Sequence, residues 1–182
     1  TLSDGRRQIL NFLLAGDFIG VQQKMSDSAA HGVVTLTDAR LCVFDRDALW
    51  ELHRNEPSMG FNVTWLTAQE ESLVDDNLLS LGRRSAEERI ATTLLLLYQR
   101  AKALGKLGDS QDGLGVPFPP TQQHLADALG LSLAHTNKTL RKLERRSLFR
   151  IRDGRLELLE PKALGRLADL YGEGKPAARP LV

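Results

Sequence analysis

The hydrophobic positions in the first 45 residues form short apolar runs and do not repeat at helical spacing. The runs lie at residues 9–14, 33–36 and 41–44. Short apolar runs bounded by turn residues are typical of β-strands, and Asp4-Gly5 between its flanking segments signals a hairpin turn. We therefore predict β structure here. Because so few strands bury too little surface to fold alone, we expect partner strands upstream of Thr1.

Residues 46–104 carry apolar positions at helical spacing. From Met59 to Leu81 the only glycine or proline is Gly60, and Pro57 suits a first helical turn. A helix of about 25 residues is roughly twice the mean length, and such a helix commonly forms a spine or a dimer seam. The candidate seam residues are Phe61, Trp65, Ala68, Val74, Leu78 and Leu81. The alternative is a helix that lies on its own sheet.

A second helix is predicted to begin at Ser85. Ser85 and Glu88 have the spacing of a capping box, in which the hydroxyl accepts from an early backbone N–H and the glutamate reaches back. Gly82 lies just ahead and is predicted to act as a hinge between the two helices. Residues 105–120 contain four glycines and three prolines, which predicts a loop or linker and a candidate domain boundary.

The segment from Thr121 to Leu158 carries the most specific pattern in the chain. Thr121 is a good N-cap for a short helix that ends at Gly130, where a sharp turn requires positive φ, and Ser132 caps a second helix. Two short helices joined by a glycine-containing turn form a helix-turn-helix. The residues from Phe149 onwards contain Asp-Gly and predict a hairpin, or wing. A purely structural helix pair is the alternative.

Charge is distributed unevenly between the two ends of the chain. The 182 residues are 42% hydrophobic and 26% charged, as in an ordinary folded protein, with a net charge of +1. Residues 1–116 carry 12 basic and 16 acidic side chains, whereas residues 117–182 carry 12 basic and 7 acidic ones. Eight lysines and arginines fall within residues 138–155. Such a basic block indicates a polyanion such as double-stranded DNA, and a merely solvated face is the alternative.

The geometry of the DNA grooves assigns roles within this block. The second helix of the motif enters the major groove, where its N-terminal residues face base edges and its later cations meet phosphates. Asn137 matches the adenine edge and Lys138 the guanine edge. The predicted DNA-binding residues are Gln122, Gln123, Leu133, Ala134, His135, Asn137, Lys138, Arg141, Lys142 and Arg152, with Arg145, Arg146, Arg150 and Arg155 as further phosphate contacts.

These residues make the sequence resemble the Crp/Fnr family of bacterial transcription regulators. Residues 121–140 are similar to the family's winged helix, residues 82–91 to its hinge, and residues 55–57 to the start of its long dimerisation helix. Residues 16–20 resemble the Gly-Glu-apolar turn of its cyclic-nucleotide-binding β-roll. The resemblance covers nearly the whole chain. It implies a homodimer on a pseudo-palindromic operator, RNA polymerase as a further partner, and a roll whose first helix and strands are absent here.

The effector pocket departs from the family pattern. The family's cyclic-nucleotide binders follow the Gly-Glu turn with an Arg-Ser or Arg-Thr pair, because a buried phosphate needs a charge-assisted partner. Residues 26–32 contain no arginine or lysine, and Lys24 and His31 are the nearby cationic candidates. We therefore expect that cyclic AMP does not bind in the usual mode. The pocket candidates are Gly16, Asp17, Phe18, Ala29 and Ala30.

Cys42 is the only cysteine, so no disulfide framework is predicted. The resemblance places Cys42 near a position where some family members ligate an iron–sulfur cluster, but four ligands are normally needed and three would have to lie upstream. A buried structural cysteine is the favoured interpretation, and no metal or other cofactor is predicted. No apolar stretch approaches the roughly 20 residues of a membrane span, so a cytoplasmic protein that contacts no membrane is expected.

Two other function classes are alternatives to DNA binding. The chain has no glycine-rich phosphate loop, paired metal-binding histidines or Gly-x-Ser-x-Gly motif, so an enzyme is not predicted. The alternative is an effector-binding module that acts through protein partners without touching DNA, and the wing and the basic block count against it. We predict an α+β protein with a partial antiparallel β-roll in residues 1–56, a long dimerisation helix and hinge in 57–84, and a winged helix-turn-helix in 85–182.

Overall fold

The computed structural model describes residues 1–20, 31–105 and 115–169. The helices and strands, in chain order, are α1 (Arg46–Asn55), α2 (Pro57–Arg83), α3 (Ala86–Gly105), β1 (Val116–Pro117), α4 (Gln122–Leu129), α5 (Leu133–Arg145), β2 (Phe149–Arg152), β3 (Arg155–Leu158) and α6 (Pro161–Leu167). Two compact units divide the described residues, a larger one with residues 1–15 and 76–169 and a smaller one with residues 16–20 and 31–75. The predicted domain boundaries at residues 56 and 84 stay predictions. No helix in the described ranges is long and apolar enough to cross a bilayer.

The larger unit has a helical core closed by a small sheet. Ile90, Ala91 and Leu94 of α3 are almost fully buried and pack with apolar residues of α4, α5, α6 and the sheet. The sheet is antiparallel with strand order β1-β3-β2. Leu156 of β3, which pairs with Val116 of β1 and Ile151 of β2, has no exposed surface. All three strands contribute buried residues to the core, namely Val116, Phe149 and Leu156, so the whole sheet packs against the helices.

β1 lies inside the glycine- and proline-rich stretch that predicts a linker. Val116 and Phe118 are buried, and a Cβ at Gly115, which lies at φ +80°, would collide with the Leu156 carbonyl. The linker prediction is therefore wrong for residues 115–118, and residues 106–114 lie outside the described residues. A two-residue strand is too short for a periodic signal, which is why the pattern does not show it.

The strands predicted near the N-terminus are not formed in the described residues. Residues 1–20 and 31–45 contain turns and irregular backbone only. The carbonyls of Leu10 and Phe12 accept hydrogen bonds from Asn77 Nδ2 at 3.0 Å and Arg100 Nη1 at 3.1 Å. Helix side chains thus take the backbone groups that a neighbouring strand would pair, and the described residues contain no second strand beside this segment.

The turn predicted at Asp4-Gly5 is confirmed. The Gly5 N–H donates to the Leu2 carbonyl at 3.0 Å, and the Leu2 N–H donates to the Arg6 carbonyl at 2.8 Å. No strand ladder continues from it in the described residues, so the turn is not part of a hairpin.

The smaller unit contains an irregular segment, α1 and the first part of α2. Asp45 caps α1, where its Oδ1 accepts from the Asp47 N–H at 3.4 Å. The rings of Phe18 and Phe44 are stacked with centroids 6.3 Å apart. A Cβ at Gly60 would lie 3.0 Å from the His53 Cα, so this glycine allows α1 and α2 to approach closely.

α2 confirms the predicted long helix and spans 27 residues. The predicted seam residues nevertheless lie on two sides of it. Phe61, Trp65 and Ala68 share one strip, whereas Val74, Leu78 and Leu81 share another. At about 100° per residue, the second strip is turned roughly 200–260° from Phe61. The step of six residues from Ala68 to Val74 causes this shift, so one continuous seam through all six side chains is not formed.

The break between α2 and α3 falls at Arg84 and Ser85, after the predicted hinge Gly82, which lies inside α2. The predicted capping box is confirmed. The Ser85 N–H donates to Glu88 Oε2 at 2.6 Å, and the Glu88 N–H donates to Ser85 Oγ at 3.4 Å. The hydrogen bond from the Ser85 backbone holds the pKa of the Glu88 carboxyl below its usual value.

Arg89 joins three helices at this junction. Its guanidinium donates to the carbonyls of Leu81 at 2.7 Å, Arg84 at 2.9 Å and Leu129 at 3.0 Å. Leu81 and Leu129 lie in the last turns of α2 and α4, where carbonyls lack partners within their own helix. The half-buried Arg89 of α3 therefore supplies hydrogen-bond donors to the C-terminal carbonyls of both α2 and α4.

Replacing Arg89 by alanine should lower the free energy of unfolding by about 2–3 kcal/mol, because the helix-end carbonyls lose charge-assisted hydrogen bonds. A urea titration followed by far-ultraviolet circular dichroism measures this loss. Arg83→Ala, an exposed arginine at the end of α2, is the matched control and should cost less than about 0.5 kcal/mol. Equal losses in the two variants would show that the junction does not depend on the Arg89 guanidinium.

Candidate nucleic-acid interface

α4 and α5 form the predicted helix-turn-helix. Gly130 ends α4 at φ +62°, and the Leu131 N–H donates back to the Ala126 carbonyl at 3.1 Å. Ala126 is 2% exposed and belongs to the buried side of α4. A Cβ at Gly130 would lie 3.2 Å from Leu81 Cδ2, so both the φ angle and the space favour glycine.

Both helices of the motif begin at the predicted N-caps. Thr121 Oγ1 accepts from the His124 N–H at 3.2 Å, and His124 Nδ1 accepts from the Thr121 N–H at 3.1 Å. Ser132 Oγ accepts from the His135 N–H at 3.2 Å. These caps fix where α4 and α5 start, and therefore which side chains lie on the first turn of each helix.

α5 has a buried face and an open face. The buried residues are Thr136, Thr139, Leu140 and Leu143. The exposed residues on the opposite side, at about 100° per residue, are Ala134, Lys138, Arg141 and Arg145. Within the described ranges, the three cations of this open face form no ion pair. They therefore present an uncompensated positive stripe along the length of α5.

The first turn of α5 places Leu133, Ala134 and His135 at the surface, as predicted for residues that face base edges. Asn137 is different. It is half-buried, and its Oδ1 is covered and has no hydrogen-bond partner in the described part of the chain. A bidentate contact with adenine requires that oxygen, so the observed conformation does not offer the contact predicted for Asn137.

Two other predicted DNA contacts are occupied within the chain. Gln123 Nε2 donates to Asp127 Oδ1 at 2.7 Å, and Arg7 Nη2 lies 2.6 Å from Asp127 Oδ2. Lys142 Nζ donates to a carboxylate oxygen of Glu87 on α3. Gln122, by contrast, is exposed on the first turn of α4. It remains open to a phosphate, as predicted.

The predicted wing is formed by β2 and β3. Asp153 and Gly154 have φ angles of 50° and 69°, as the two-residue turn of a tight hairpin requires. Arg150 Nη1 donates to Glu157 Oε2 at 3.2 Å across the hairpin. Arg155 Nη2 donates to the Gly115 carbonyl at 2.7 Å and so supports β1. Both arginines thus hold partners within the chain in this conformation, and their predicted contacts with the DNA backbone stay predictions.

A surface groove connects the end of α5 with the wing. Its lining residues are Glu144, Arg145, Ser147, Phe149, Arg150, Arg152 and Leu159. Arg152 is exposed on β2 next to the Asp-Gly turn. Because Arg145 and Arg152 border the same groove, the positive stripe of α5 continues onto the wing.

The predicted effector pocket lies only partly in the described residues. Gly16 forms the predicted turn at φ +85°, and Phe18 is half-buried against Phe44. Asp17 is also half-buried. Ala29, Ala30 and Lys24 lie outside the described residues. The described part of this region therefore consists of a glycine turn and an aromatic pair.

Cys42 is exposed, so the prediction of a buried structural cysteine is wrong. It lies in the irregular segment of residues 31–45, where Leu41 and Val43 are also exposed, because no strand partner covers this segment in the described residues. Among residues 1–20, 31–105 and 115–169, no three His, Cys, Asp or Glu side chains cluster as metal ligands would.

Profiles of two known domain families match the two ends of the chain. The profile of the Crp-like helix-turn-helix domain matches residues 88–167, and that of the cyclic nucleotide-binding domain matches residues 1–56. The second match assigns the N-terminal region to the predicted kind of domain, although its strands are not formed in the described residues.

Similar proteins carry names of regulatory proteins. The nitrogen fixation regulation protein FixK of Bradyrhizobium diazoefficiens is 35% identical over 170 residues, which cover 92% of this chain and 68% of that protein. The transcriptional activatory protein AadR of Rhodopseudomonas palustris is 34% identical over 167 residues, which cover 92% of this chain and 67% of that protein. The structure of FixK2 from Bradyrhizobium japonicum superposes with a TM-score of 0.55 and 24% identity, covering 71% of this chain and 60% of that one. The chain thus spans about two thirds of the length of these proteins.

Proposed function

The chain belongs to the Crp/Fnr family of bacterial transcription regulators, and on this premise we propose that the full-length protein binds a specific DNA operator as a homodimer. The observation that carries the proposal is the open face of α5. Lys138, Arg141 and Arg145 lie opposite its buried face, and the stripe continues to Arg152. A helix with this arrangement suits the major groove, with its wing beside the backbone. Such a surface favours DNA over a module that acts only through protein partners, and binding over catalysis.

The remaining partners follow from the same proposal. A two-fold dimer reads a pseudo-palindromic operator whose half-sites lie about one helical turn apart. Because a relative is named a transcriptional activatory protein, we propose RNA polymerase as a further partner. The place of action is the cytoplasm, where bacterial DNA lies.

We propose that the dimer seam uses the second apolar strip of α2. Val74 and Leu78 are 55% and 69% exposed and lie one turn apart. On the other strip, Phe61 is followed by the half-buried Trp65 and the small Ala68. Two large aliphatic side chains in register are better suited to a symmetric helix pair, because each copy buries both of them.

We also propose that cyclic AMP does not switch this protein. The support comes from the sequence, which has no arginine or lysine in residues 26–32 to hold a cyclic phosphate. His31, the nearest cationic candidate in the described residues, is exposed. Burying a phosphate without a cationic partner is unfavourable.

Lys138→Ala should weaken binding to a selected operator by about 1–3 kcal/mol, because a base-edge donor is lost. Selection from random DNA with the full-length protein supplies the operator, and fluorescence anisotropy measures the Kd. Lys162→Ala removes the same charge from α6 and is the control. An equal loss on operator and random duplex would make Lys138 a phosphate contact.

Leu78→Ser should raise the dimer dissociation constant at least roughly tenfold, because each copy loses about 1.5–3 kcal/mol of buried leucine. Light scattering over a concentration series of the full-length protein measures it. Phe61→Ser changes a side chain of the other strip that is 68% exposed, and it should leave the dimer intact. The opposite pattern would move the seam to the Phe61 strip, and a monomeric wild type would contradict the dimer.

Titration calorimetry of the full-length protein with cyclic AMP and cyclic GMP should give no binding heat, because residues 26–32 contain no arginine or lysine to hold the phosphate. Lys24→Ala and His31→Ala provide the comparison. Low-micromolar binding that either substitution abolishes would show that the pocket holds a cyclic phosphate by another route.

A further inference from the structure

One carboxylate on α3 holds two cations at the end of α5, one in its last turn and one at its C-cap. Lys142 Nζ donates to Glu87 Oε1, and Arg146 Nη1 donates to Glu87 Oε2 at 3.3 Å. Each carboxylate oxygen therefore serves one cation. The residues belong to different helices, 55 and 59 positions apart in the chain.

The position of Glu87 makes it an effective internal counter-ion. It lies in the first turn of α3, where the helix dipole stabilises a negative charge. Its side chain is 27% exposed, whereas those of Lys142 and Arg146 are 56% and 49% exposed. Lys142 and Arg146 are four residues apart and repel each other, and the carboxylate between them offsets that repulsion.

The two cations border the open face of α5. At about 100° per residue, Lys142 and Arg146 lie roughly 40° and 80° round the helix from Lys138. Both side chains are long enough to reach a phosphate at the edge of the DNA major groove once they no longer bind Glu87. α5 and its C-cap carry five cations. Three lie on the open face, and the other two, Lys142 and Arg146, bind Glu87.

We propose that Glu87 is a specificity-determining residue, which keeps Lys142 and Arg146 from DNA phosphates and so restrains binding to non-operator DNA. The inference rests on the proposed function. Non-specific affinity grows with each phosphate that a cation neutralises, because each contact releases counterions. Holding two cations internally removes contacts that every sequence would offer equally. Base contacts from the open face then make up a larger share of the binding free energy, which raises the ratio of operator to random binding.

The test uses the full-length protein with Glu87→Gln, which keeps the shape of the side chain and removes its charge. Affinities for a duplex of random sequence and for the selected operator are measured over a range of KCl concentrations. The variant should bind random DNA more tightly, and its slope of log affinity against log salt should steepen by up to roughly 2 for two added phosphate contacts. The operator-to-random ratio should fall. Adding Lys142→Gln and Arg146→Gln to this variant should return the slope to the wild-type value.

Glu160→Gln is the matched control, because it makes the same charge change at the exposed N-cap of α6, where the side chain makes no capping hydrogen bond. An equal steepening in the control would reduce the effect to net charge and overturn the proposal. Weaker binding of Glu87→Gln to both DNAs with an unchanged slope would make Glu87 a structural brace, which also overturns it. A wild type that binds neither DNA would refute the proposed function itself, and this inference with it.

Discussion

The guanidinium of Arg89 lies where the ends of α2 and α4 meet the start of α3, and the DNA-binding half of the molecule depends on that contact. Helix C-termini carry partial negative charge and unpartnered carbonyls. Here Leu81 and Leu129 present such carbonyls to one cation. The arrangement fixes α4 against α3, and the turn at Gly130 then fixes α5 against α4. The first turn of α3 also carries Glu88, which caps the helix, and Glu87, which binds Lys142 of α5. Neighbouring residues of one turn therefore hold the helices together and neutralise a cation of α5.

The helix-turn-helix could be predicted because its signals are local. Thr121, Gly130 and Ser132 each act on a backbone group within a few residues, and Asp153-Gly154 closes a two-residue turn. Arg89 and Glu87 act on partners tens of residues away, at separations of 40 and 55 positions. No spacing rule connects such residues before the fold brings them together. Local caps and turns were therefore visible in the sequence, whereas the contacts that orient α3 and α5 were not.

The failures of prediction have physical causes as well. A strand needs a neighbour, and Leu10 and Phe12 give their carbonyls to helix side chains because no strand pairs with them in the described residues. Gly115 precedes a strand too short for alternation to show, and its positive φ and close approach to β3 explain the glycine. In α2, spacings of three and four hold within each half of the helix, but the step from Ala68 to Val74 breaks the strip.

The number of cations in residues 138–155 is larger than the number that the folded protein leaves unpaired at its surface. The electrostatic potential far from the protein depends on net charge, so all eight lysines and arginines of residues 138–155 contribute to it. Contact with phosphates depends instead on cations that hold no internal partner. Lys142 and Arg146 bind Glu87, Arg150 binds Glu157, and Arg155 binds the Gly115 carbonyl. The open cations are Lys138, Arg141, Arg145 and Arg152. Four of the eight cations thus hold partners within the protein, so the size of the block overstates the number of phosphates that its surface can neutralise.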